Sequence, residues 1–250
     1  MARYFIALGY KGSAYSGFQV QQNAATIQGE VEKALAVYLR APVALTGSSR
    51  TDTGVHAKQN FFHFDFEGLP QQDLKDIGYH LNAILPPDIV IYSIRKVRND
   101  AHCRFDAIAR SYRYSIYGIK NPFINDRSYY YPYPLDENLL NAAAVMLLQT
   151  VEFESFSKRN SQVGNYRCTL VKSEWIYEGE ELVYRVEGNR FLRGMVRGMV
   201  GTMLQVGRRK LGLDAFKELI ESRKRASADF SAPGHGLMLM EVKFPDGYFD

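Results

Sequence analysis

The segment Gly47-Ser48-Ser49-Arg50-Thr51-Asp52-Thr53-Gly54-Val55-His56-Ala57 lies between two short apolar runs. Val43 to Thr46 ahead of it reads as a short strand, and Asn60 to Phe66 behind it as a strand with His63 and Asp65 set in a Phe-rich alternation. The segment is therefore a loop joining strands. Arg50 and Asp52 are one residue apart, so in an extended stretch their side chains point the same way, and the guanidinium is placed to hold the carboxylate ionised and oriented. A carboxylate so held can act as nucleophile or base. Thr51, Thr53 and Gly54 supply turn chemistry, and Gly54 lets the backbone approach a ligand closely. On spacing alone, a surface turn with a solvated Arg50 fits the same residues.

Working outward, Tyr4 to Tyr10 reads as a strand followed by a Gly/Ser/Tyr turn region from Lys11 to Gly17. A helix opening near Thr26 sets Ile27, Val31, Ala34, Leu35, Tyr38 and Leu39 on one face. A second helix, from about Gln71 to Leu85, stops at Pro86-Pro87, and Ile89 to Arg95 forms another strand. From Ser111 the pattern restarts: a strand to Ile119, a Tyr/Pro-rich loop from Tyr129 to Pro134, and a helix capped by Asp136 that carries Leu139, Leu140, Ala143 and Leu147. Strands at Leu170 to Tyr177 and Glu181 to Glu187, helices at Phe191 to Val206 and Asp214 to Ser222, and a strand at Leu237 to Phe244 follow. Neither a Gly-x-Gly-x-x-Gly nor a Walker loop occurs, which argues against a nucleotide-binding parallel fold. The expected class is α+β: two similar subdomains, residues 1–105 and 106–250, with mixed, mainly antiparallel sheets and helices packed on them, the second subdomain completing a cleft.

The 250 residues are 46% hydrophobic and 23% charged, an ordinary globular balance. Seventeen Tyr and 15 Phe beside one Trp supply flat faces suited to stacking on bases or to packing. The net charge of +4 is too small to demand a polyanionic partner. Basic residues nevertheless bunch at Arg95 to Arg98, Lys158-Arg159, Arg190 to Arg197, Arg208-Arg209-Lys210 and Arg223-Lys224-Arg225, as phosphate-contacting patches or as solvated ends of elements. Cys103 and Cys168 have neither metal-ligand spacing nor disulfide density, so they read as packing residues in a reducing compartment. No signal-peptide pattern or apolar run of membrane-spanning length is present, and a cytoplasmic protein is expected. Asp52-Thr53-Gly54 is also the active-site triplet of aspartic proteases. That chemistry needs two such loops sharing a proton, and one occurs here, preceded by polar residues rather than an apolar strand.

The Gly47–Ala57 segment resembles the Gly-Arg-Thr-Asp-x-Gly-Val-His-Ala signature of the TruA-type transfer-RNA pseudouridine synthases. Four further blocks resemble the family in order: Tyr10-Lys11-Gly12 through Gly17-Phe18-Gln19-Val20-Gln21 and Thr26-Ile27-Gln28; Cys103-Arg104-Phe105-Asp106-Ala107 with Ser111-Tyr112-Arg113-Tyr114; Phe191-Leu192 with Met195-Val196-Arg197 and Val200-Gly201; and Ala232-Pro233 with Gly236-Leu237-Met238-Leu239. The departures are Lys11 for the usual Asp, Phe18 for Trp, Gly234-His235 in the closing block, and the absence of the family's frequent His-Asp-Phe between Val151 and Asn160.

The resemblance implies the pseudouridine synthase fold, a homodimer, and conversion of uridine to pseudouridine at positions 38, 39 and 40 of the transfer-RNA anticodon stem and loop, with no metal, redox group or other cofactor. It makes Asp52 the catalytic residue, Tyr112 the active-site tyrosine stacking on the extruded uracil, and Arg197 the arginine set against the carboxylate. Arg50 is expected to partner Asp52 or phosphate, Leu237 to pad the base pocket, and His56 to buttress the loop. Lys158, Arg159, Arg208 and Arg209 are the expected phosphate contacts. A non-catalytic RNA-binding protein on the same fold is the rival reading, disfavoured because a pure binder has no need of Arg50, Asp52 and Tyr112 together.

Overall fold

The computed structural model describes residues 1–69, 74–158 and 164–249. The chain forms two compact units, one of Met1–Ile108 with Leu239–Asp250, the other of Ala109–Met238.

In the first unit, β1 (Ala2–Tyr10) is the middle of an antiparallel triplet with β3 (His56–Phe66) and β4 (Ile89–Val97). β2 (Thr46–Gly47) pairs with β3, and β9 (Leu237–Lys243), most of which belongs to this unit, lies on the far side of β3 from β1. Helix α2 (Leu74–Ile84) packs on β4 and touches α1 (Ile27–Leu39). Every residue of β1 from Tyr4 to Tyr10 is buried, because both faces of this strand are covered. The face carrying Phe5, Phe61 and His63 is closed by Phe244, Tyr248 and Phe249, whose rings lie 4.9–6.0 Å from one another or from Phe5 and Phe61. The other phase of the strands carries the stacked pairs Tyr4–Phe64 and Phe18–Phe62. Aromatic pairs of this kind each contribute about 1 kcal/mol beyond their burial.

The second unit is built on the antiparallel order β5 (Ala109–Tyr117), β8 (Glu181–Gly188), β7 (Leu170–Glu178), with β6 (Tyr129–Tyr130) parallel to the end of β5. Helix α3 (Glu137–Leu148) packs on β7, α4 (Met195–Gly207) on α3, and α5 (Leu213–Glu221) on both α3 and α4. The class is α+β with mainly antiparallel pairing, as the sequence predicts.

Most element ends follow local chemistry. Thr26 Oγ1 accepts the Gly29 amide at 3.2 Å and Asp136 Oδ1 the Leu139 amide at 3.2 Å, so α1 and α3 start where their caps put them. Two expected elements differ. Of the expected Val43–Thr46 strand only Thr46 pairs, together with Gly47 beyond it, because the Leu45 N–H and C=O are taken by Glu32 and Gln28 of α1, both at 2.9 Å. The helix expected from Phe191 begins at Met195, since Gly194 sits at φ +73° and stops helical geometry from extending backwards. The expected start of α2 at Gln71 lies outside the described residues.

His63 is buried in the first unit, where its Nδ1 stands 3.1 Å from Cys103 Sγ and accepts the Cys103 amide at 3.4 Å. Burial, with the neighbouring His102 and Arg3, pushes its pKa down to about 4 from 6.5. Between these values the unfolded chain binds a proton that the folded chain refuses, so stability falls as pH drops through this window. In denaturant unfolding, His63→Gln should be the less stable protein at pH 7. The gap to wild type should then shrink by up to about 3 kcal/mol by pH 4, and a constant gap would refute the assignment.

Candidate active site

The Asp52 loop belongs to the first unit and is held from below by a buried polar network. Asn60 is fully buried and points to the same face of β3 as Phe62 and Phe64. Its amide donates to Ser49 O at 2.8 Å and to Tyr10 Oη at 3.2 Å, while its carbonyl accepts the Ser49 amide at 3.3 Å and the Phe61 amide at 2.9 Å. Tyr10 Oη in turn hydrogen-bonds Thr51 Oγ1 at 2.8 Å. The loop is thus fixed at both residues flanking Arg50.

The chain from Tyr10 to Phe18 grips the loop from the side. Phe18 N donates to Thr51 O at 3.1 Å, and Gly12 N to His56 Nδ1 at 3.1 Å. Gly17, at φ +108°, lies so close that a Cβ there would stand 3.1 Å from Thr51 O. Tyr15 passes the support on: its carbonyl accepts the Gly54 amide at 3.4 Å and its hydroxyl donates to Asp88 Oδ1 at 2.5 Å. Asp52 O accepts the Val55 amide at 3.2 Å, closing a turn with Gly54 at φ +77°. Asp52 is left half-buried at its head.

Arg50 does not pair with Asp52. It is exposed, makes no hydrogen bond or ion pair among the described residues, and lines a groove of about 330 Å³ with Phe18, Gln28, His102, Arg104 and Phe105. Between them Thr51 turns inward to Tyr10, and the chain then turns from Asp52 to Val55. His56 is buried beneath the loop.

The other predicted residues belong to the second unit. Tyr112, on β5 opposite Val186, is buried, and its ring meets Phe191 edge-on at 5.0 Å. Arg197 on α4 donates from Nε to Ala232 O at 2.6 Å and from Nη2 to Phe230 O at 3.5 Å. Leu237 is buried just after the 3-10 turn Gly234–Gly236, where Tyr114 Oη donates to Pro233 O at 2.9 Å. The sequence suggests a helix α4 with one exposed charged face, but it is buried nearly all round, with only Arg197 and Gln205 half-exposed. The segment before Leu237 covers it. Gly198 meets the Phe230 ring, a Cβ on Gly201 would stand 2.2 Å from Asp229 O, and Asp229 takes hydrogen bonds from Gln205 and gives its amide to Thr202.

Several of the expected phosphate contacts already have protein partners. The Arg208 guanidinium lies 3.8 Å over the Tyr133 ring, Arg209 is paired with Asp136 at 2.8 Å, and the Lys158 ammonium sits 6.0 Å from the centre of the Phe230 ring. Arg159 lies outside the described residues.

Comparison with known proteins decides what this geometry belongs to. The tRNA pseudouridine synthase family matches residues 6–106 and 143–245. A protein named tRNA pseudouridine synthase A from Parabacteroides distasonis is 43% identical over 249 residues, covering 100% of this chain and 98% of that protein. Those of Bacteroides fragilis and Staphylococcus aureus are 44% and 35% identical, over 99% and 96% of this chain and 98% and 90% of their own lengths. The chain belongs to the tRNA pseudouridine synthase family. Arg50, Asp52, Arg197 and Leu237 fall within the segments matched to the tRNA pseudouridine synthase family, whereas Tyr112 falls between them.

Asn60 lies outside every block that resembles the family, although the phase of β3 marks it as a polar residue on an aromatic face, and Tyr10 opens one such block without any sign there that it supports the loop. Asn60→Ala would leave both Ser49 backbone groups buried without partners and should cost about 3 kcal/mol in urea unfolding, against about 1 kcal/mol for Tyr10→Phe. Equal small losses would mean that the loop holds itself.

Proposed function

We propose that this protein isomerises uridine to pseudouridine at positions 38, 39 and 40 of the tRNA anticodon stem and loop, with Asp52 as the catalytic carboxylate. The observation that carries the reading is the Asp52 loop itself, a half-buried carboxylate with Ser49, Thr51, Gly54 and Val55 around it hydrogen-bonded into place, on a chain of the tRNA pseudouridine synthase family.

The reaction breaks the bond from N1 to the ribose C1′, turns the base, and joins C5 to C1′; C5 gives up its proton and N1 ends with one. No electron is gained or lost. Addition of the carboxylate to the base, its attack on C1′ and its removal of a ribose proton all require Asp52 ionised and fixed beside the nucleoside. The fixed loop meets the second condition before substrate arrives, which lowers the ordering cost of the reactive geometry. In this reading Tyr112 stacks against the extruded uracil, and Phe191, edge-on at 5.0 Å, holds the ring for that role. Leu237 pads the base, Arg197 faces the carboxylate, and Arg50 takes phosphate, a role favoured by its exposure and its lack of a partner among the described residues.

A uridine within a stem must be turned out of its stack, at a cost of a few kcal/mol that backbone contacts offset. The protein acts as a homodimer in the cytoplasm, without metal or cofactor. None of the described helices is long and apolar enough to cross a membrane.

Tritium release from tRNA labelled at uracil C5 tests the reading. Wild type should release label in proportion to pseudouridine formed, and Asp52→Asn should lower the rate by at least about a thousandfold, the scale on which loss of a catalytic nucleophile or base acts. Release that survives in Asp52→Asn would remove the carboxylate from the chemistry, and no release from any RNA by wild type would leave a binding protein. For the RNA grip, Lys158→Gln should flatten the plot of log affinity against log salt by about one unit. An unchanged slope would assign Lys158 to packing against Phe230 alone.

A further inference from the structure

The turn that carries Arg104 and Phe105 has no part in the chemistry above, yet it is built with care for one exposed ring. Phe105 is 77% exposed although Cys103, two residues earlier, is fully buried. The turn is closed by the Asp106 amide on His102 O at 3.0 Å and the His102 amide on Asp106 Oδ2 at 2.9 Å. His102 Nδ1 accepts the amides of Arg104 at 3.2 Å and Phe105 at 3.3 Å, and its ring lies against that of Phe105 with centroids 4.2 Å apart and planes 34° apart. Behind it, His102 meets buried His63 edge-on at 4.6 Å. One face of Phe105 is therefore propped from the core, and its exposure belongs to a fixed turn. Burial lowers the His102 pKa, which keeps the imidazole neutral and its Nδ1 an acceptor.

Phe105 borders the groove of about 330 Å³, and the charged residues lining that groove are Arg50 and Arg104, with no acidic side chain among them. The other apolar lining residues, Phe18 and Leu45, are buried at 1% and 6% exposure, so the open ring stands by itself among cations. A protein partner would call for a contiguous apolar patch. A lone aromatic face between guanidinium groups instead matches a nucleobase and its flanking phosphates.

We propose that Phe105 is a stacking platform for one unpaired nucleotide of the RNA, with Arg50 and Arg104 taking the phosphates beside it. The proposal rests on the reading of an RNA substrate given above. Asp52 does not line the groove, so the base taken here is one other than the target uridine. Only a base free of its own helix can stack in this way, which selects loop or splayed nucleotides over duplex.

Three measurements on the full chain test it: tRNA affinity by filter binding at one fixed salt concentration, tritium release, and fluorescence. Phe105→Ala should weaken tRNA binding about tenfold, the effect of one base–aromatic stack, while Phe105→Trp should bind like wild type. The single natural tryptophan, Trp175, is buried. The indole introduced by Phe105→Trp should accordingly show as new emission, quenched by tRNA and by single-stranded oligouridylate but not by a blunt RNA duplex. Wild-type affinity in Phe105→Ala, with wild type still releasing tritium, would overturn the platform and leave the synthase reading intact. A drop in oligomer mass in Phe105→Ala with unchanged affinity would overturn it in favour of a contact between copies of the chain. Wild type that neither binds tRNA nor releases label would overturn both readings.

Discussion

The carboxamide of Asn60 is the contact on which the geometry of the first unit's site depends. A loop rich in serine, threonine and glycine has little side-chain volume with which to pack itself, and its conformational entropy favours many arrangements. Asn60 removes that freedom by engaging both backbone groups of Ser49 while sitting on a strand that cannot shift, since β3 is paired along its length with β1. Tyr10, on the neighbouring strand, extends the same network to Thr51. Two strands of the sheet thereby specify the path of the loop on either side of Arg50. The Asn60 carboxamide and the Tyr10 hydroxyl are both paired within it, which is what makes them rigidifying rather than costly in a buried setting, while the Ser48 and Ser49 hydroxyls beside them are buried without a partner among the described residues.

The same logic explains why the segment from Lys11 to Phe18 is so compact. It supports the loop with backbone groups, from Gly12, Tyr15 and Phe18, and backbone support works only at close approach. The interior position of Phe18, stacked on Phe62 at 4.6 Å, anchors this segment to the core beside the place where the loop begins. Phenylalanine in place of the family's usual tryptophan keeps that stack while removing an indole N–H that would otherwise need a buried partner.

Much of the fold was legible because the periodic patterns agree with their own ends: Thr26 and Asp136 cap the helices they precede, and the Phe-rich alternation of β3 holds to its last residue. Where the sequence misled, a long-range competitor had won. Leu45 has the composition of a strand residue, but Gln28 and Glu32 reach its backbone first. Phe191 to Gly194 continue an apolar pattern, but Gly194 takes a left-handed conformation that no periodicity reports. At the site, the Asp52 segment stood out as a motif, but its spacing could not decide between Asp52 and phosphate as the partner of Arg50, which among the described residues makes no ion pair. Asn60 could be seen only as a polar residue in an aromatic phase. Its partners lie on another strand and in the loop.

Arg197 illustrates the remaining limit and the principle behind it. Its helix carries Gly198 and Gly201, with Gly194 just ahead of it, a pattern that in sequence signifies close packing without saying against what. The structure supplies the answer: the Lys158 stem lies against Gly194, the Phe230 ring against Gly198 and the Asp229 carbonyl against Gly201, and Arg197 itself fastens the carbonyls of Phe230 and Ala232. Those main-chain acceptors help to orient the guanidinium. The loop that carries Asp52 is likewise ordered by hydrogen bonds to its main chain. In both units, then, backbone contacts fix the segment that bears a charged side chain before any ligand arrives, so the cost of ordering that segment falls on folding rather than on binding.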